Sequence, residues 1–554
     1  MNSICLHIRN FSAQKISNGS LEIMEELLLT QGKTLIVVGL NDSGKSHFAC
    51  VLGQLDETKT SDPYLAIEGH LDPVAEFNIS ELVAVVPSNP NLMFSLISKT
   101  LKQEIALGWS FLGRAINEKK LKNLLKDFQL EHLSDRDPMT LSGGEKVRAA
   151  VAMALAKKPK LLILDNVFDE LNPTSQEMVR RNISRYQNDY GLITIELHSK
   201  APDYSEENNQ WLFLLPRDIP VLGSLSDCCR IIGERNPYLL PKLANIGILI
   251  EKCLEIKYDI LPLNIDALIK PIRIRTLDTN ENESAINKEG EAIAVKNLTF
   301  QYSGASAFSL GPIELSIEQK KTTAILGKNG AGKTTLLKCL GNLNRGWKGR
   351  IATEEGALSP KIPLHKWARQ IVYCFQNPED QLFLATVEAE LKETAKRTRG
   401  KNFPIAERVK EIAEVLGIDD YLSTSPLSLP RPFQRLVAMG SAFVADPKII
   451  LLDEPTAGLD NRLAEKVEKM IGLYNSDGGT TLMISHDYNF VCETSENIIV
   501  MDNGLVNYSG PLTDGKVIWP GNNPPIVPNI SKHLMASRNI YRQEDLMASI
   551  EIGN

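Results

Sequence analysis

The stretch TTAILGKNGAGKT, Thr322–Thr334, decides the fold of this chain. Its first half is uncharged and apolar, the composition of a short strand buried on both faces. Its second half is Gly-x4-Gly-Lys-Thr, and an apolar, helix-compatible TLLKCL follows. A strand that feeds a glycine-rich turn and then a helix is a phosphate cradle. Backbone N–H groups and the helix N-terminus face the phosphates, the lysine reaches the β- and γ-oxygens, and the hydroxyl binds Mg2+. This assigns Gly327, Asn329, Gly330, Gly332, Lys333, Thr334 and Thr335 to ATP, with Thr334 also on the metal.

The pattern occurs a second time, as TLIVVGLNDSGKS at Thr34–Ser46. There it assigns Gly39, Asn41, Ser43, Gly44, Lys45 and Ser46 to nucleotide, with Ser46 on the metal. Lys45 and Lys333 lie 288 positions apart, and so do Ser88 and Gln376, Pro138 and Pro426, Asp165 and Asp453, and His198 and His486. A period of that length means a duplicated domain, since solenoid repeats recur every 20–50 residues or so. Each copy opens with a short strand, LHIRNFSA or IAVKNLTF. Each later has a buried strand, LLILD or IILLD, and another before the histidine, LITIEL or TTLMIS. Strands alternating with helices predict an α/β fold with a largely parallel sheet in each copy.

The remaining organisation follows. Residues 1–232 are expected to form the first domain, 233–290 accessory helices and a polar linker, 291–515 the second domain, and 516–554 a tail with no assigned role. The linker stretch Thr276–Gly290 is acidic and poor in apolar residues. A net charge of −7 and the lack of a long basic run argue against a nucleic-acid partner. The eight cysteines show no CxxC spacing, so a metal, iron–sulfur or disulfide framework is not expected. The opening MNSICLHIRNF lacks the basic and apolar segments of a signal peptide, and no run of about 18 apolar residues predicts a membrane span.

Asp165 and Asp453 end their apolar strands, where an aspartate holds Mg2+ directly or through water. The residue after each aspartate differs. Glu454 can take a proton from water; Asn166 is an amide and cannot. The loss is not a register slip, because VFDELNP follows Asn166 in step with PTAGLD after Glu454.

Taken together, these motifs resemble the ABC ATPase superfamily, twice and over nearly the whole chain. The resemblance implies two tandem P-loop NTPase domains, each with a mostly parallel core sheet, a small antiparallel subdomain and a helical subdomain. It further implies that two cassettes sandwich two ATP molecules head to tail, each ATP lying between one cassette's phosphate loop and the other's LSGGQ-like element. By position, LSGGE presents Ser142, Gly143 and Gly144 to a γ-phosphate, and Gln376 becomes the lid glutamine on Mg2+ and water. Tyr302 becomes the adenine-stacking aromatic, and His486 and His198 the switch histidines. Departures cluster. In the second copy Leu429–Phe433 reads LPRPF, whose prolines lack the N–H groups of a cradle. In the first copy Lys15 stands for the aromatic, Ser88 for the glutamine, Asn166 for the carboxylate and Asn172 for Asp460.

Composite bookkeeping sorts these losses. One site would join Tyr302, Lys333, Thr334, Gln376, Asp453, Glu454 and His486 to Ser142, Gly143 and Gly144. It would be complete except for Asn172. The other would join Lys45, Ser46, Asp165 and His198 to LPRPF, and nearly every other loss falls there. The expectation is one hydrolytic site and one that holds ATP with little turnover, formed by pairing of the two cassettes within the chain.

The second copy's FQNPEDQLFLATVEAEL resembles energy-coupling-factor (ECF-type) importer ATPases. That resemblance implies a peripheral subunit on the cytoplasmic face of the membrane. Its partners would be integral membrane subunits, a coupling protein and a substrate-binding subunit, energised for uptake of a vitamin, a precursor or a metal. Glu379 and Asp380 would pair there with a basic residue of a coupling helix. The alternatives are the tandem ATPase of another importer, such as a monosaccharide one, and a soluble translation-associated ABC protein. The last fits poorly with LPRPF, the acidic linker and the absent cysteine cluster.

Overall fold

The structure is a computed structural model that describes residues 5–17, 20–41, 43–52, 68–72, 82–95, 97–110, 117–171, 173–202, 209–215, 218, 220–254, 257–258, 268–274, 290–302, 309–400, 402–514, 519, 542–543, 546–547 and 550–552. The chain divides into two compact units, Met1–Ala267 and Leu268–Asn554. The linker stretch and most of the tail lie outside the described residues.

In the first unit the strands are β1 (Cys5–Ser17), β2 (Ser20–Thr30), β3 (Thr34–Gly39), β4 (Glu68–Asp72), β5 (Val83–Val86), β6 (Leu161–Asp165), β7 (Ile193–His198), β8 (Asn209–Leu214) and β9 (Val221–Gly223). They form one nine-stranded sheet, ordered β2-β1-β9-β8-β3-β7-β6-β5 with β4 on β1. The strands β8, β3, β7, β6 and β5 run parallel. The antiparallel part is not a separate sheet here, because a short parallel pairing of Gln14 and Lys15 with Val221 and Leu222 welds β1 onto the core.

The second unit keeps the two parts apart. Its strands are β10 (Ile272–Ile274), β11 (Glu291–Gln301), β12 (Ser309–Glu318), β13 (Thr322–Gly327), β14 (Lys348–Thr353), β15 (Gly356–Leu358), β16 (Ile371–Cys374), β17 (Ile449–Asp453), β18 (Thr480–Ile484), β19 (Asn497–Asp502), β20 (Leu505–Pro511) and β21 (Ile550–Ile552). The order β16-β17-β18-β13-β19-β20 makes the core, and β12-β11-β14-β15 makes an antiparallel sheet. β10 pairs antiparallel with β21.

All six residues of β13 are buried, as the uncharged TTAILG demands of a central strand. Alternate side chains serve opposite faces. Ala324 and Leu326 enter the core shared with the helices Val387–Thr398, Ile405–Leu416 and Arg431–Ala445, whereas Ile325 packs toward the antiparallel sheet. Each fully buried Leu, Ile or Val side chain contributes about 1.5–3 kcal/mol. The consequence for function is directional. In parallel strands every carboxyl end lies on one edge, so β13, β16, β17 and β18 deliver the phosphate loop, Gln376, Asp453–Glu454 and His486 to the same side.

The strand register corrects the equal spacing of the two histidines. Asp453 stands opposite Ile484, but Asp165 stands opposite Leu197, an offset of 287 where the neighbouring strands keep 288. The cause lies upstream. The helix Pro173–Tyr190 has 18 residues where Asn461–Ser476 has 16, and two residues follow it where Asp477–Gly479 follows the other. His198 is therefore the last residue of β7, buried among core side chains, and Ser199 occupies the place that His486 takes after β18.

Candidate functional site

The second unit holds the fuller constellation. The turn Lys328–Gly332 leads into the helix Lys333–Leu340, whose N-cap Gly332 has φ 97°, a left-handed backbone that favours glycine. Gly330 also has positive φ, and nothing lies within 4 Å of where its Cβ would be, so the loop presents bare backbone there. Thr334 follows Lys333 on that helix; its hydroxyl makes no hydrogen bond among the described residues. Lys333 folds back, its Nζ donating to the carbonyls of Gly327 at 2.7 Å and Lys328 at 3.2 Å. A buried ammonium held only by carbonyls suits a phosphate that replaces them, and burial already pushes its pKa down.

Behind the loop sit two carboxylates. Asp453 is buried; its Oδ2 accepts from Tyr373 Oη at 2.7 Å, and its Oδ1 has no partner. An orphaned buried carboxylate oxygen fits a hard divalent cation. Glu454 adopts φ 54°. Its Oε2 accepts the His486 N–H at 3.1 Å, and its Oε1 lies 3.5 Å from His486 Nε2. Burial raises Glu454 to about 7, although the His486 N–H and Lys333 oppose the rise. Burial and then Lys333 lower His486 to about 4, so the imidazole is neutral. A carboxylate near neutrality beside a neutral imidazole can take a proton from water and hold it.

Tyr302 is 42% exposed, set edge-on against Phe300 at 4.8 Å. Asn344 Nδ2 donates to its hydroxyl at 3.2 Å, and Thr335 Oγ1 lies 3.4 Å away. An accessible ring is thereby fixed next to the helix that follows the phosphate loop. Gln376 is exposed after β16 and makes no side-chain hydrogen bond among the described residues, so the structure does not bring it onto Asp453 or Glu454.

The first unit repeats the loop but closes the cation site internally. Lys45 Nζ donates to the carbonyls of Gly39 and Leu40, the latter at 2.7 Å. Asp165 is buried; its Oδ2 accepts from Ser46 Oγ at 2.9 Å and its Oδ1 from Asn166 Nδ2 at 3.1 Å, so neither oxygen is left over. At Gly39 an added Cβ would lie 2.2 Å from Ser43 Oγ, so a side chain there would force Ser43 to move. Asn41 is half-buried and Gly44 has φ 84°. His198 Nε2 meets not a phosphate loop but Glu196 Oε2 at 3.1 Å, with its ring stacked on Phe168. Ser88 follows β5; Asn172 and the side chain of Lys15 lie outside the described residues.

The two helix starts that contrast LSGGE with LPRPF are both visible. Ser142 caps the helix Gly143–Ala156, and Glu145 Oε2 accepts both the Ser142 N–H and its Oγ–H at 2.8 Å. Gly143 and Gly144 leave the first turn open, with amides available to an anion. The helix Arg431–Ala445 starts with Pro430 as N-cap and Pro432 in its first turn, and Arg431 donates to Asn377 Oδ1 of its own unit. Sequence reading missed two side chains. Arg435 donates to the backbone carbonyl of Glu454, and Tyr373 holds Asp453; neither belongs to a spaced motif. Among the described residues no three His, Cys, Asp or Glu side chains converge on a metal site, and no helix is long and apolar enough to cross a membrane.

Residues 26–169 and 310–457 match the ABC transporter family, together more than half of the chain. The chain belongs to the ABC transporter family. It is a tandem ABC ATP-binding protein of a transporter, and its ABC domains bind and hydrolyse ATP. The "Putative ABC transporter ATP-binding protein" of Caldanaerobacter subterraneus subsp. tengcongensis is 26% identical over 518 residues, covering 88% of each chain. The "Putative HMP/thiamine import ATP-binding protein YkoD" of Bacillus subtilis (strain 168) is 26% identical over 496 residues, 87% of each. Among solved structures, cbiO1 of Clostridium perfringens, part of the complex cbiONQ, is 29% identical and covers 40% of this chain and 89% of its own, with a TM-score of 0.37. The archaeal ribosome recycling factor aABCE1, solved with the stalk protein aP1, gives a TM-score of 0.54 over 91% of this chain and 90% of that one. At 19% identity that likeness shows the fold alone. ABC transporter ATPases typically work with membrane transport subunits.

Proposed function

We propose that this ABC protein energises an ECF-type importer through one hydrolytic ATP site and one that retains ATP with little turnover. The carrying observation is the asymmetry of the two aspartates. Asp453 keeps a buried oxygen unpartnered beside Glu454 and His486, while both oxygens of Asp165 are tied to Ser46 and Asn166. The second unit's loop, Asp453 and Thr334 serve Mg2+·ATP. When bound, the cation would neutralise charge on the phosphates; Lys333 exchanges its carbonyl partners for phosphate oxygens, and Glu454 accepts the proton of the attacking water.

The importer reading rests on the turn after Gln376 and on the YkoD likeness. Glu379 and Asp380 are exposed on the short helix Pro378–Asp380, and Phe383 beside them is 66% exposed. The equivalent turn of the first unit, Pro90–Met93, offers apolar Leu92 instead. Acids beside an exposed ring suit a membrane partner's helix that carries a basic residue. The subunit then sits peripherally on the cytoplasmic face, and its cargo is a vitamin, a vitamin precursor or a metal. Affinity capture from host membranes tests this. The chain with Glu379→Lys and Asp380→Lys should lose its small multi-helix membrane partners while keeping ATP hydrolysis. Capture of ribosomes in place of membrane proteins would overturn it.

A further inference from the structure

Tyr373 is a buried phenol in β16, directly opposite Leu451 of β17 in the parallel register. Its ring packs edge-on against Phe375 at 5.0 Å, and its hydroxyl reaches along the strand to Asp453 Oδ2 at 2.7 Å. A phenol is a neutral donor at physiological pH, and here its O–H is directed at the carboxylate. The other oxygen of Asp453, buried and unpartnered, is thereby left in one orientation.

The first unit shows what happens without this group. The register places Val85 opposite Ile163 just as Tyr373 stands opposite Leu451. Valine cannot donate, and there Asp165 takes its second hydrogen bond from Asn166. In the second unit that neighbour is Glu454, a carboxylate with no donor to offer while ionised. The site that keeps the base therefore needs its donor from elsewhere. A phenol suits this task because it is neutral. A lysine or arginine there would hold Asp453 equally well but would repel a cation.

We propose that Tyr373 is a positioning residue for the cation of the second site, tying down one oxygen of Asp453 so that the other meets the metal in a fixed orientation. This rests on the reading of that site as a Mg2+-dependent one. Its loss should weaken cation binding and leave nucleotide binding and the proton-accepting step alone.

The test uses the full chain carrying Lys45→Ala and Glu454→Ala, so that the first site is weakened, ATP is not consumed and no amide donor is introduced beside Asp453. Mn2+ binding in the presence of ATP is followed by electron paramagnetic resonance, with and without Tyr373→Phe. The expected result is about three- to tenfold weaker Mn2+ binding, the scale of one hydrogen bond's net contribution. ATP binding in EDTA should be unchanged. In the otherwise natural chain, Tyr373→Phe should raise the Mg2+ concentration for half-maximal hydrolysis by a similar factor and move kcat at saturating Mg2+ less than twofold. Unchanged Mn2+ affinity overturns the proposal, and so does a loss of ATP binding in EDTA, which marks a merely structural role. Asp453→Asn serves as reference: if it leaves Mn2+ binding intact, the reading of the whole site fails, independently of Tyr373.

Discussion

Glu454 and His486 interlock, one carboxylate oxygen on the His486 N–H and the other within 3.5 Å of its ring. If Glu454 is the base, Glu454→Gln lowers kcat by a factor on the order of 10²–10⁴. Lys45→Ala, acting on the other loop, should leave at least a third or so of the rate; steady-state phosphate release reads both. The pH dependence has a definite sign. Burial holds Glu454 protonated up to about 7, and only its ionised form accepts a proton. The kcat/KM profile should therefore rise with pH and level off above about 7, with the bound cation moving the limb to lower pH. A profile flat from pH 5.5 to 8 counts against Glu454 as base. The same shift bears on folding. A carboxyl raised on folding binds its proton more tightly in the native state, so its contribution to stability is favourable at low pH and fades as pH rises from the unfolded value toward 7. At pH 8 without nucleotide, Glu454→Gln should thus raise the melting temperature by a few degrees. The motif residues Lys333, Asp453 and Glu454 were legible because glycine spacing and strand ends announce them. Tyr373 and Arg435 were not, since their contacts cross between a strand or helix and a neighbour distant in sequence.

Elements explain where residue counting failed. A constant spacing hides compensating changes in helix and turn, and here the longer helix Pro173–Tyr190 and its shorter exit moved β7 by one residue. In a strand such a slip turns a side chain to the other face, and His198 sits inside the strand where His486 sits beyond it. Accordingly, His198→Ala should act on stability, since it strips Glu196 of a buried partner, and should change ATP hydrolysis less than twofold. Thermal unfolding and phosphate release separate the two effects. The helix Arg431–Ala445 makes a complementary case. It has lost the open first turn yet keeps a fully buried core face. Leu436 is wholly buried in that face, so Leu436→Ala should cost about 2–5 kcal/mol by denaturant unfolding, the range for leucine cavities.

At the scale of the whole chain, the duplication and the α/β class were legible from repeat and period alone. Two things were not. The welding of β1 to β9 depends on a pairing of two residues, below any pattern a sequence displays. The pairing of β10 with β21 joins positions some 280 residues apart, one before the linker and one within the last residues described. Nearby, Arg542 reaches Glu496 at 2.9 Å, Leu546 is fully buried, and Trp519 lies on Tyr488, two residues from His486. Removing residues 541–554 should therefore lower the thermal stability of the second unit and leave Ile272–Ile274 as an uncovered edge. Increased aggregation on heating, without loss of the first unit's transition, is the expected outcome. A truncated chain that melts unchanged would deny the strand pair any role in stability. The same two strands also bring residues 272 and 552 side by side. That adjacency makes the second unit a candidate for circular permutation: residues 272 and 552 joined by a short bridge, and new ends opened at the surface turn between β14 and β15.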